Sequence, residues 1–224
     1  SVLVEGNAVL NWGSGNIDVN PMFADTANGN YHLLASSQLI NAGHPDSTDS
    51  DGTRADIGAY PYLNSYSGPT WYVQTDGSDT DGTGSTDSPF ASIQSAINFA
   101  TTDGDSVTVA AGTYVENIVF TTNHNNNSIK VFGQGPETTI VDGDSARHVV
   151  RIPSSTDPQV HLNGFTLKNG IAWPAISGDG NNMGGGILSE GGTNIFENLI
   201  IENNRGSYGG VGGAFHTNNC SDVI

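Results

Sequence analysis

The chain has 224 residues, with 30 glycines, 6 basic and 23 acidic side chains, and a formal net charge of −17 at pH 7. That balance excludes the phosphate backbone of nucleic acid and an anionic lipid surface as partners. No apolar run approaches the roughly 20 residues of a bilayer-spanning helix, so membrane insertion by that route is excluded too. Hydrophobic residues make up 35%. That is enough for a core only if short strands each contribute one or two apolar side chains and Gly, Asn, Asp, Ser and Thr fill the turns. The chain does not open with Met or with a basic-then-apolar leader, which reads as a mature or excised segment.

In chain order, the first phrases are Asn16-Ile17-Asp18-Val19-Asn20-Pro21-Met22-Phe23, Asn30-Tyr31-His32-Leu33-Leu34, Gln38-Leu39-Ile40-Asn41-Ala42-Gly43 and Asp56-Ile57-Gly58-Ala59-Tyr60. They are short apolar runs between turn formers, with no room for a long helix. Residues 61–70 carry two prolines and a glycine and read as a linker between a unit at 1–60 and a unit at 71–224. The second unit opens with a strand, Trp71-Tyr72-Val73-Gln74. In the stretch 88–100, Ile93, Ala96, Ile97 and Ala100 make a one-sided apolar stripe, which predicts a short helix with Ser88 as cap and Pro89 in its first turn. Six alternating strand phrases come next, from Ser106-Val107-Thr108-Val109 to the run at 160–167. Expected inward side chains are Ile93, Ile97, Val107, Val109, Val115, Ile118, Val131, Ile140, Val149, Ile152, Leu162, Phe165, Leu167, Ile187, Leu199 and Ile201.

Two phrases recur. Phe165-Thr166-Leu167-Lys168-Asn169-Gly170 returns 34 residues later as Leu199-Ile200-Ile201-Glu202-Asn203-Asn204. Gly185-Gly186-Ile187-Leu188-Ser189 returns 27 residues later as Gly212-Gly213-Ala214-Phe215-His216. Unequal spacings around constant strand chemistry predict stacked repeats with loops of variable length. One helix and then many short strands excludes a doubly wound α/β sheet. Asn169, Asn203, Asn204 and Asn219 read as stacked amide ladders at the turns. The single cysteine, Cys220, has no internal partner and reads as a small buried side chain.

Closely spaced carboxylates with glycines are what a hard cation with 6–8 oxygen ligands needs. Two loops qualify as Ca²⁺ candidates: Asp76, Asp79, Asp81 and Asp87 in the second unit, and Asp49 and Asp51, with Asp46 and Asp56 beside them, in the first. Neither has EF-hand spacing, and solvated turn carboxylates capping backbone amides fit the same residues. Trp173 and Tyr208 are the candidate sugar-stacking residues, and Trp12, Trp71 and Tyr72 would serve in the same way if exposed. The acid–base inventory is thin. Lys168 and Arg151 are the cations placed on strands, consecutive strands carry no Asp cluster of the kind a hydrolase needs, and the six histidines have no i, i+4 pair for zinc. No catalytic residue is assigned.

Trp71-Tyr72-Val73, Ser88-Pro89-Phe90-Ala91-Ser92-Ile93-Gln94, Asp103-Gly104-Asp105, Val109-Ala110-Ala111-Gly112-Thr113-Tyr114 and Leu162-Asn163-Gly164-Phe165-Thr166-Leu167 together resemble the start of a right-handed parallel β-helix of the pectate-lyase-like superfamily. The resemblance covers about residues 70–224, is specific for fold and nearly silent about activity. Residues 16–60 are similar to the closing segment of β-helices in large bacterial secreted or surface proteins.

The resemblance implies an all-β fold: a right-handed parallel β-helix solenoid with an N-terminal capping helix, preceded by the C-terminal end segment of another. It implies an extracellular or bacterial cell-surface location, and with the thin acid–base inventory the expectation is a structural or adhesive module without catalysis. Head-to-tail self-association, polysaccharide binding and Ca²⁺ are the partners and cofactor expected. The alternative is a polysaccharide lyase or glycoside hydrolase of the same fold.

Overall fold

A computed structural model describes residues 17–120, 127–153, 159–172, 184–206 and 213–217. Strands β1 (Phe23–Asp25) and β2 (Asn30–Leu33) pair antiparallel around a 3-10 turn, Thr26–Asn28. Asp25 accepts from the Asn28 amide N–H at 3.3 Å, and Gly29, at φ +77°, closes the turn. Residues 61–70, expected to be a linker, are held by hydrogen bonds, two of them to the chain beyond and one within the segment. The Tyr62 hydroxyl donates to Gly82 O at 2.6 Å, Asn64 Nδ2 to Thr83 O at 3.0 Å and the Tyr66 hydroxyl to Thr70 O at 2.7 Å.

The remaining strands are β3 (Thr70–Val73), β4 (Ser106–Val109), β5 (Gly112–Val115), β6 (Ile118–Val119), β7 (Ser128–Phe132), β8 (Thr139–Asp142), β9 (Val150–Ile152), β10 (Gln159–Lys168), β11 (Ile187–Ser189), β12 (Ile195–Glu202) and β13 (Phe215–Thr217). Seven form one sheet in the order β3-β4-β7-β10-β8-β5, with β12 also on β10. Four form a second sheet, β13-β11-β9-β6. All pairs in these two sheets are parallel. Strand β10 serves two neighbours: Gln159 to Asn163 pair with β7, and Thr166 to Lys168 with β8. The change falls at Gly164 (φ +84°), whose carbonyl passes so near Gly133 that a Cβ on Gly133 would sit 2.3 Å from it.

The register explains the core. Trp71, Val107, Val131, Leu162 and Phe196 occupy one row across β3, β4, β7, β10 and β12, and all five are buried. Tyr114, Val141, Leu167 and Ile201 form a second row, and Ile118, Val150, Ile187 and Phe215 a third. Each fully buried large aliphatic or aromatic side chain contributes about 1.5–3 kcal/mol of transfer free energy.

Helix α1 (Ile93–Phe99) is buried along its whole length and capped by Ser92, which accepts from the Ser95 N–H. Ser88 is not the cap. Phe90 lies extended beside β3, its N–H donating to Tyr72 O at 3.0 Å and its carbonyl accepting from Gln74 N–H at 2.9 Å. The helix therefore starts after that strand-like stretch. Phe90, Phe99 and Trp71 stack, with Phe90 and Phe99 ring centroids 5.3 Å apart, and Tyr62 and Tyr66 close the cluster.

This architecture corrects the expectation of a right-handed parallel β-helix. The strands divide among a seven-stranded, a four-stranded and a two-stranded sheet, not one regular winding. The first unit, expected to be the closing segment of such a helix, holds an antiparallel pair and side-chain-braced turns. Alternation in sequence specifies strands and their buried faces, but not how successive strands are wound. Three details differ as well. Val115, expected inward, is 67% exposed while Tyr114 beside it is buried, because Gly112-Thr113-Tyr114-Val115 can be read in either phase. Ile140, Leu199 and Ile201 are only partly covered. Asn169 and Asn203 end strands in the left-handed region, at φ +56° and +54°. Asn169 bonds Asp142, and Asn204 bonds Leu167 O and Gly170 N–H, so these described amides contact carboxylate and backbone rather than one another. Asn219 and Cys220 lie outside the described residues. No described helix is long and apolar enough to cross a membrane.

Candidate functional site

The two acidic loops are bound up with their own backbone. Asp51 Oδ1 accepts from the Thr53 amide and hydroxyl at 3.0 and 2.8 Å, and Oδ2 from Asn64 N–H at 2.9 Å. Burial pushes its pKa up, but these hydrogen bonds win and hold it below the usual range. Asp49 accepts from Asp56 N–H at 2.9 Å. Asp56 accepts from Asn41 N–H at 2.7 Å and Tyr62 N–H at 2.8 Å. For Asp56 burial dominates, helped by the Asp49 and Asp51 charges, and raises its pKa to about 6.

In the second loop, Asp79 Oδ1 takes the N–H groups of Ala91 and Ser92 at 3.0 and 3.1 Å and the Ser95 hydroxyl at 2.7 Å. Asp76, Asp81 and Asp87 are exposed. The carboxylates of the two candidate loops take different positions. Asp79 braces the start of α1, Asp49 and Asp51 brace a separate turn, and the other three face solvent. Among the described residues, no group of three or more His, Cys, Asp or Glu is gathered to hold a metal ion.

Glu116 is a structural carboxylate that sequence reasoning missed. Its two oxygens accept the Ile93 and Gln94 N–H groups at 2.8 and 2.9 Å, the unsatisfied donors of the α1 N-terminus. Burial raises its pKa to about 7 although both N–H groups favour the charge. Its partner lies 23 residues back, so no local spacing marks it.

The outward face of the seven-stranded sheet carries a different chemistry. One row runs Tyr72, Thr108, Phe132, Asn163, Glu197, and the next runs Thr70, Ser106, Lys130, His161. Neighbouring strands lie about 4.8 Å apart, which puts the Tyr72 and Phe132 side chains about 10 Å from each other with Thr108 between. The face is internally ordered. His161 Nε2 and Asn163 Nδ2 both reach Glu197 Oε2, at 3.0 and 3.1 Å, and the His161 ring stands edge-on to Phe132 at 5.3 Å. The Thr70 and Ser106 hydroxyls bond at 3.1 Å. Of these residues only Tyr72 is legible in sequence as a stacking candidate. The signal for the others is the outward phase of each strand combined with the 34-residue register, which brings Asn163 beside Glu197. Trp173 and Tyr208, the expected stacking residues, lie outside the described residues.

The strand cations considered for acid–base work are paired. Lys168 Nζ is 3.6 Å from Asp142 Oδ2, and Arg151 is 3.0 Å from Glu190. Burial opposes ionisation of Asp142, but bonds from Asn169 and the Asp144 N–H, with the Lys168 charge, hold it below the ordinary carboxylate range. His148 is buried with Nδ1 2.9 Å from Gly184 O, and burial lowers its pKa. No protein-family model, characterised protein or solved structure matches this chain.

Proposed function

We propose that this chain is a non-catalytic structural or adhesive module of an extracellular or cell-surface protein, offering the outward face of its seven-stranded sheet to a polysaccharide. The observation that carries this reading is the Tyr72/Phe132 pair flanked by Lys130, His161, Asn163 and Glu197. Aromatic faces take the C–H side of sugar rings, and fixed amide, imidazole and carboxylate groups take their hydroxyls. The face is broad and pre-ordered, which suits an extended ligand. The lyase or hydrolase alternative is disfavoured because Lys168 and Arg151, its candidate bases, are already engaged by carboxylates.

Calcium enters this reading only as an accessory to the acidic loops, where it would share carboxylates that already accept N–H groups. A rise in melting temperature on adding Ca²⁺ that EDTA reverses is the expected sign, and no change would remove calcium from the proposal. Self-association is the other element. Among the described residues, β12 pairs only with β10 and β13 only with β11, and a strand edge is a template for a further strand. Light scattering should show mass rising with concentration; a constant monomer mass would rule it out. The binding claim is tested on a glycan array with the wild type and Phe132→Ala. We expect the variant to lose at least about fivefold in affinity, the share of one stacking residue. Equal binding by both proteins would count against the face.

A further inference from the structure

A second site lies away from that face, where the first unit meets the loop after β3. A cavity of about 270 Å³ opens there, close to the lower end of the roughly 300–1,000 Å³ range of small-molecule sites. Its apolar wall includes Leu33, Tyr62 and Leu63; its polar wall includes Thr80, Asp81 and Thr83. Tyr62 is fixed from two sides, by its hydroxyl on Gly82 O at 2.6 Å and its N–H on Asp56 at 2.8 Å. His32 lines the same cavity and stacks on Tyr60, with centroids 4.8 Å apart and planes 20° apart. Tyr60 is 49% and Leu63 53% exposed, large apolar surface left in water beside a concavity.

The electrostatics select the ligand. The Asp81 carboxylate accepts no hydrogen bond from a described residue, and Asp81 lines the open cavity from its solvent side. Among the described residues, no Lys or Arg lines it. The Tyr62 hydroxyl is made harder to ionise by burial first and then by the charges of Asp79 and Asp81, so the field inside is negative. Aromatic faces reinforce that preference, since their quadrupole attracts cations. An anion would be repelled. A neutral sugar would leave Asp81 without a charged partner.

We propose that this cleft binds a small ligand bearing an ammonium group, its charge against Asp81 and its apolar body against Tyr62 and Leu63. A quaternary ammonium and an amino sugar share that chemistry. The test is a ¹H–¹⁵N NMR titration of the full chain with choline, glucosamine, glucose and glucuronate at constant ionic strength. Saturable shifts at His32, Leu63, Thr80 and Thr83 with choline or glucosamine, and none with glucose or glucuronate, are expected. Choline alone would identify a quaternary ammonium as the source, and glucosamine alone an amino sugar. Asp81→Asn, at an exposed side chain, should keep the spectrum of the folded protein and weaken binding at least about threefold, as for a partly exposed ion pair. Leu63→Ala, at an exposed lining side chain, should weaken it by about two- to fivefold. No saturable shift with either cation, equal shifts with glucose, or an unaffected Asp81→Asn variant would overturn the proposal. The lateral face plays no part in this titration, so failure here leaves the polysaccharide proposal standing.

Discussion

In the part of the chain up to β6, Asp49, Asp51, Asp56, Asp79 and Glu116 turn their carboxylates onto backbone N–H groups. In the part beyond it, Asp142, Glu190 and Glu197 turn theirs toward Lys168, Arg151 and His161 on outward sheet faces. The energetics of the two sets differ. A buried donor left unsatisfied costs about 1–3 kcal/mol, whereas a surface ion pair contributes about 0–1 kcal/mol. The inward set is thus architecture: it replaces the missing β-ladder partners of turns and of the α1 N-terminus. Within the outward set Asp142 also holds the Asp144 N–H and Asn169, whereas the more exposed His161–Glu197 pair is nearly free to change in stability terms, so its arrangement is available for recognition.

The largest effect on this division is expected from Asp79→Ala, which strands two N–H groups and the Ser95 hydroxyl. It should cost about 3 kcal/mol, a fall in melting temperature of about 6–12 °C by calorimetry. The next effect is a pH dependence. Glu116 is raised from 4.5 to about 7 in the folded protein. A raised pKa means that the native state binds the proton more tightly, so this group's contribution is fully present below pH 4.5 and is lost as pH rises through 7. Asp56 acts in the same direction, from 3.8 up to about 6. Asp51 and Asp142, both lowered, act oppositely: their contribution is lost as pH falls below the ordinary carboxylate range. Melting temperatures measured from about pH 4.5 to about pH 7 should decline less in Glu116→Gln than in the wild type. The smallest effect is expected for Glu197→Ala, within about 0.5 kcal/mol in stability, while its glycan-array signal drops. A large loss of stability there would erase the contrast.

Strand positions and most buried faces are legible in the sequence, because alternation marks them directly. Phe165-Thr166-Leu167-Lys168 repeats as Leu199-Ile200-Ile201-Glu202 because those residues are register partners of β10 and β12. The glycine-rich phrase aligns in sequence one place short of its true register: Ile187 pairs with Phe215, not Ala214. Glycines carry no side chain to mark a face, so such a run slides without penalty in sequence. The winding of the strands is not legible, since the two halves of β10 join different neighbours at a bend that only Gly164 hints at. The acidic residues are visible but their roles are not. Asp51 meets Asn64, Asp79 meets Ala91 and Glu116 meets Ile93, contacts made by chain reversal rather than spacing. The lateral site is hidden for a similar reason: Phe132, His161 and Glu197 come from three strands and share no motif.

Binding without catalysis on the lateral face is tested most directly by co-sedimentation with insoluble polysaccharides, with the soluble fraction analysed by mass spectrometry for released oligosaccharides. The wild type should be retained on at least one polysaccharide, Tyr72→Ala/Phe132→Ala should not, and no oligosaccharide should be released. Released sugars bearing new reducing or unsaturated ends, abolished by Lys168→Ala, would contradict a binding role.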